Sequence, residues 1–344
     1  MADKSERGRF VWHDLMTPNI AGAQAFYSQA IGWKTQSWEQ DPSYSMFVAP
    51  SGPLGGLDEW RDGSPHWRLY IATPDIDATV QQATRLGGGV ITAPTPLPNG
   101  GKFAVLTDPQ GATFGIYWSS AGSGPEATPK HGEFSWHELA TTDHRAAWNF
   151  YSALFGWDKL NEFDMGPQGI YLIFGRNGAQ LGGMFDKGEM GRPGPGYWVG
   201  YVRVKDVHET AKKVKAARGS LVHGPAEVPG GDWIAQFMDP HGALFAAHTL
   251  AVDVKAAKKP DAAKKETAKT AAAAPKKAAK KPTGGKKATK KKAAPKKKRA
   301  AAKKPKRPVR KAAKTSRRKA ATKSGKKKRA AGKKKAASKV RKRK

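Results

Sequence analysis

Cysteine is absent from all 344 residues, which excludes a disulfide framework and thiolate chemistry and fits a reducing compartment. No apolar run approaches the roughly eighteen residues needed to cross a bilayer. The first eight residues include Asp3, Lys4, Glu6 and Arg7 and no apolar stretch, so no secretory leader is expected and the chain reads as soluble and cytoplasmic. From residue 255 onward there is no aromatic residue, and only two of the 28 acids, Asp261 and Glu266. A segment with so little to bury cannot offset its own chain entropy, so residues 253–344 are expected to be disordered when free.

Residues 255–344 hold 42 of the 62 Lys and Arg. The remainder is mildly acidic, with 20 basic residues against 26 acidic ones, and contains all 11 Trp. The overall charge of +34 therefore describes neither part. One part has ample material for a core, and the other is a polycation.

The core-forming part is a duplication. Phe10, Trp12, His13, Asp14 and Leu15 return as Phe134, Trp136, His137, Glu138 and Leu139. Phe26, Tyr27, Gly32 and Trp33 match Phe150, Tyr151, Gly156 and Trp157; Leu54-Gly55-Gly56 matches Leu181-Gly182-Gly183. Trp67 and Tyr70 match Trp198 and Tyr201, and Asp108-Pro109-Gln110-Gly111 matches Asp239-Pro240-His241-Gly242. The order is kept throughout, which defines an extension (1–7), a first domain (8–120), a linker rich in Gly, Ser and Pro (121–131), a second domain (132–252) and the basic tail (253–344). Within a copy, residues 10–16 alternate as a strand does. Asn19 and Asp143 stand where a helix N-cap is wanted, and Ala23, Phe26, Tyr27 and Ala30 share one helical face. The pattern strand, helix, three strands occurs twice per copy.

This arrangement resembles the vicinal oxygen chelate superfamily, which includes glyoxalase I, the bleomycin-resistance proteins and extradiol dioxygenases. The residues that carry the resemblance are the Phe-Tyr…Gly-Trp helix and the Asp-Pro-x-Gly turn, both present twice. It implies an α+β fold of two tandem domains, each built of two βαβββ modules that form a cupped mixed sheet with the ligand on its concave face. Two tandem domains would look like a fused version of the usual dimer, and further self-association into a homo-oligomer is compatible with that.

Enzymes of the family hold a divalent ion with His or Gln on the first strand, His on the fifth and Glu on the eighth. Counted from the helix-opening residues Asn19, Asp75, Asp143 and Asp206 and from the Asp-Pro turns, those positions here are Trp12, Arg68 and Gly115, and Trp136, Val199 and Ala246. No metal or other cofactor is expected. His13 and His137 fall one residue further along, on the helix-packed face. With Trp12 and Trp136 in the vacated position, alternation puts Asp14 and Glu138 on the same concave face. An indole beside a carboxylate suits a flat, partly cationic organic molecule, and the acid could also serve as a general base. Tyr44, Tyr171, Trp67 and Trp198 recur in both copies and are expected to line the same cavity; equally, recurrence serves packing.

The tail resembles the C-terminal tail of linker histones and the Lys/Ala-rich arms of some bacterial nucleoid proteins. Lys296, Lys297, Lys298, Arg299, Lys303, Lys304, Arg317, Arg318, Lys326, Lys327, Lys328 and Arg329 are the expected phosphate contacts. Without aromatics or a fixed scaffold, binding to DNA or RNA should be sequence-blind and driven by counterion release. Three functions remain open: a metal-free binder of a small organic molecule tethered to nucleic acid near the nucleoid; a glyoxalase-, hydroxylase- or dioxygenase-like enzyme with a divalent metal; and a nucleoid protein with a bulky head.

Overall fold

The computed structural model describes residues 6–122, 127–188 and 194–258. Among these residues are two eight-stranded sheets, one per sequence copy. In the first copy, strand β1 (Phe10–Thr17) leads into helix α1 (Ile20–Ala30) and strands β2 (Lys34–Ser37), β3 (Ser45–Ala49) and β4 (Gly52–Glu59). The unit then repeats with β5 (His66–Ala72), α2 (Ile76–Arg85), β6 (Gly89–Pro96), β7 (Lys102–Thr107) and β8 (Thr113–Trp118). The sheet order is β2-β3-β4-β1-β5-β8-β7-β6, so the two βαβββ modules join through the antiparallel β1–β5 pair, while β1–β4 and β5–β8 are parallel.

The second copy reproduces this. Its elements are β9 (Phe134–Thr141), α3 (His144–Phe155), β10 (Asp158–Asp164), β11 (Ile170–Arg176), β12 (Ala179–Asp186), β13 (Tyr197–Arg203), α4 (Val207–Ala216), β14 (Ser220–Glu227), β15 (Trp233–Met238) and β16 (Leu244–Thr249). The order β10-β11-β12-β9-β13-β16-β15-β14 is the same topology. A short helix α5 (Ala251–Lys258) ends the described residues.

Helix boundaries follow local chemistry. The Asn19 side chain accepts from the Gly22 N–H at 2.9 Å, and Asp143 accepts from Arg145 and Ala146 at 3.0 Å each, satisfying donors that a helix start leaves unpaired. Gly156 closes α3 in the left-handed conformation, φ 68°, which a side chain would penalise.

Among the described residues, two of the three hydrophobic clusters are shared between the copies, and the third (Val199, Tyr201, Leu244 and Ala246) lies within the second copy. One joins Leu15, Phe26, Tyr27, Trp33 and Phe47 of the first copy to Val207, Phe237 and Phe245 of the second. The other joins Leu69, Ile71 and Phe114 of the first to Phe150, Tyr151, Trp157 and Phe174 of the second. Helix α1 accordingly meets α4, and α2 meets α3. At the seam, His13 and His137 lie with their Nε2 atoms 2.8 Å apart, each ring stacked on a phenylalanine of the opposite copy, His13 on Phe134 at 3.8 Å and His137 on Phe10 at 3.7 Å. Polar threads run beside the cores: Trp67 Nε1 donates to Tyr27 OH (3.0 Å), which donates to Asp239 (3.3 Å), and Trp198 Nε1 donates to Tyr151 OH (3.1 Å), which donates to Asp108 (3.1 Å). The helix motif and the Asp-Pro-x-Gly turn, separate in sequence, are thus partners across the seam.

Candidate functional site

Alternation along β1 sends His13 and Leu15 into the shared core, and Trp12 and Asp14 to the opposite, concave face. Register then decides what joins them. Trp12 stands opposite Tyr70 and Asp14 opposite Arg68 on β5, and directly opposed residues share a face. Trp12 Nε1 donates to Asp14 Oδ1 (2.8 Å) and to Tyr44 OH (2.9 Å), and Tyr44 OH donates to Asp14 Oδ1 (2.5 Å). In the second cup, Trp136 Nε1 donates to Tyr171 OH (3.0 Å), which donates to Glu138 Oε2 (2.9 Å). Glu138 Oε1 accepts from Tyr201 OH (2.9 Å) and Gln236 Nε2 (3.2 Å).

The repeated Gly-Gly pair makes these clusters possible. A Cβ on Gly56 would lie 1.7 Å from Tyr44 OH, and one on Gly183 2.2 Å from the Tyr171 ring, so each tyrosine reaches the carboxylate only over a bare backbone.

Burial raises the pKa of Asp14, against hydrogen bonds from Tyr44, Tyr70 and Trp12 and the nearby charge of Arg68. Burial likewise raises Glu138, against Tyr201, Tyr171 and Gln236. Burial, and then the neighbouring carboxylate, push the phenols of Tyr44, Tyr171 and Tyr201 upward. The tyrosines therefore remain hydrogen-bond donors, and the acids are the proton acceptors of each cup.

The structure gathers Trp12, Asp14 and Tyr44 in one cup and Trp136, Glu138 and Tyr171 in the other. Trp67 and Trp198 require correction. They point the other way, 7 % and 6 % exposed, into the shared cores. Each stands one residue from a concave position on its strand, and one residue reverses the face. Sequence reasoning missed Tyr70, Tyr201, Arg68 and Gln236. For the first two the sequence offered recurrence in the repeat, but their register with Trp12 and Trp136 is visible only in the folded sheets. The expected preference for cations is also weakened in the first cup, where Arg68 faces Asp14. The tail contacts expected from Lys296 to Arg329 lie outside the described residues.

The residues at the chelating positions do not fit a divalent ion. Such an ion wants deprotonated oxygen or neutral imidazole donors, three as the usual minimum for a catalytic site. Trp12, Arg68 and Gly115, and Trp136, Val199 and Ala246, offer none. The place of a Gly115 side chain is taken by the Tyr70 ring, 2.2 Å from where a Cβ would stand. Among the described residues, no group of three or more His, Cys, Asp or Glu is placed so that it could hold a metal ion. Near the second cup, Ser135 Oγ, His248 and Asp232 form a row, with Ser135 3.1 Å from His248 Nδ1 and His248 Nε2 3.0 Å from Asp232. Asp232 also accepts from the Ala251 N–H at the start of α5, so this row ties β16 to the last described helix.

The profile of the glyoxalase-like domain matches residues 11–117, and that of the glyoxalase/bleomycin resistance protein/dioxygenase superfamily matches residues 133–247. CFP32 of Mycobacterium tuberculosis, which bears the name of a glyoxylase, is 29 % identical over 246 residues, 68 % of this chain and 92 % of that protein. The anthracycline biosynthesis protein DnrV of Streptomyces peucetius is 29 % identical over 263 residues, 71 % of this chain and 94 % of that one. The Mn(II)-bound glyoxalase of Novosphingobium aromaticivorans shares the fold at 16 % identity with a TM-score of 0.53, over 71 % of this chain and 82 % of that one.

Proposed function

Since the chain belongs to the glyoxalase/bleomycin resistance protein/dioxygenase superfamily, we propose that it binds a small planar organic molecule on the concave faces of its sheets without a metal, and that its basic C-terminal segment holds it on nucleic acid, near the nucleoid in a bacterium. One observation carries the first half: an indole, a buried carboxylate and a tyrosine are joined by hydrogen bonds in both cups, with the indole at the place of the first-strand ligand of the family's enzymes. The indole supplies a face for stacking. The carboxylate accepts a hydrogen bond from an amine or hydroxyl of the guest. The relative named for anthracycline biosynthesis makes a fused-ring aromatic amine a sensible first probe.

The test is titration of the full chain with an anthracycline, read by tryptophan fluorescence and melting temperature, in parallel with Glu138→Gln. Saturable binding weakened by the substitution is expected. Binding that requires added Mn(II) or Zn(II), or a tightly held divalent ion found at one per domain by elemental analysis, would overturn the metal-free reading. Composition supports the second half. A segment engaging about ten phosphates loses on the order of 10³- to 10⁵-fold in affinity between 50 and 200 mM salt. Gel shifts of the full chain against residues 1–258 test this, and equal DNA binding by both would remove the tether.

A further inference from the structure

Of the differences between the two cups, one removes a cation. Val199 faces Glu138 in the second, whereas Arg68 faces Asp14 in the first. Arg68 is 9 % exposed, yet its Nε–H has no partner, and the indole N–H of Trp60, on the β4–β5 connection, is also buried without one. The two groups are neighbours, with the guanidinium carbon 6.0 Å from the centroid of the Trp60 ring. Asp14 lends Arg68 its charge and Tyr70 a hydrogen bond, but neither satisfies Nε. Asp14 Oδ1 is itself occupied by Trp12 and Tyr44.

A buried, unpartnered N–H is costly, more so on a cation, and two such donors around one aromatic plane mark where an acceptor belongs. A guanidinium edge matches a planar pair of oxygens carrying negative charge, and an ammonium would meet repulsion there. We propose that the first cup takes a small organic carboxylate, bound through Arg68 Nε and the Trp60 indole N–H, and that the second cup lacks this preference because Val199 replaces the cation. The proposal rests on the small-molecule reading above and makes the two cups complementary in the charge they accept.

The experiment titrates the full chain with 2-naphthoate and with 2-naphthylmethanol, the same ring without the charge, by calorimetry at fixed salt. Wild type, Arg68→Met and Trp60→Phe are compared, and all three carry the same basic segment, so its own attraction for anions cancels between them. Naphthoate should bind wild type on the order of tenfold more tightly than the alcohol. Arg68→Met should lose the preference while still taking the alcohol, and Trp60→Phe should lose part of it. Equal binding of the two compounds to wild type, a preference that survives Arg68→Met, or one that Trp60→Phe leaves undiminished, overturns the proposal and leaves the small-molecule reading standing. Failure of wild type to bind either compound overturns the carboxylate proposal, while the small-molecule reading is decided by the anthracycline titration. Melting curves show whether Arg68→Met folds; if it does not, the comparison of Trp60→Phe with wild type decides between these outcomes.

Discussion

Gly56 is the residue on which the first cup's chemistry turns. Its missing side chain lets Tyr44 reach Asp14, and a methyl group there would sit 1.7 Å from the phenol oxygen and 2.7 Å from Asp14 Oδ1. Gly56→Ala is therefore expected to expel Tyr44 and destabilise the fold by about 1–3 kcal/mol, with a shift in tryptophan emission as Trp12 loses its partner. Denaturant unfolding with fluorescence checks both. The buried imidazole pair gives a second expectation. Burial lowers His137 to about 3, and burial together with His137 lowers His13 well below 6.5. Between about 3 and 6.5 the unfolded chain binds more protons than the folded one, so this contribution is complete above about pH 6.5 and declines as pH falls. Each histidine contributes up to about 1.4 kcal/mol per pH unit. His137→Phe should be the less stable protein at pH 7, with its deficit narrowing at pH 5; an unchanged gap by urea titration would refute the assignment.

At the level of strands and helices, period two and period 3.6 were enough to place the modules and to turn Trp12 and Asp14 toward the cup and His13 away from it. The same period misled at Trp67 and Trp198, because recurrence alone does not separate a residue kept for packing from one kept for a ligand. Only the β1–β5 register, a long-range pairing, shows that Arg68 and Tyr70 face the cup. The threads across the seam were also illegible, since Tyr151 and Asp108 stand on different domains. Tyr151→Phe leaves Trp198 Nε1 and an Asp108 oxygen without their bond, and should cost about 1–3 kcal/mol by denaturant unfolding. A smaller effect would mean that water replaces the phenol.

For the molecule as a whole, the shared cores make the two copies interdependent. Residues 1–120 alone would expose Tyr27, Trp33, Phe47 and Trp67, which the complete chain keeps nearly dry, and together they form an apolar patch too large for a soluble monomer. That fragment should aggregate or pair with itself. A monomeric, cooperatively melting fragment in sedimentation and calorimetry would contradict the shared-core description. Among the described residues no helix is long and apolar enough to cross a membrane.

The seam around His13 and His137 has a consequence for how such a protein can change. When two identical subunits build this arrangement, any substitution in one cavity is imposed on its twin. Here one polypeptide supplies both halves, and Arg68 and Val199 occupy matching places without disturbing the stacked rings between them. Covalent joining leaves the two concave faces free to differ while the symmetric seam between them stays the same.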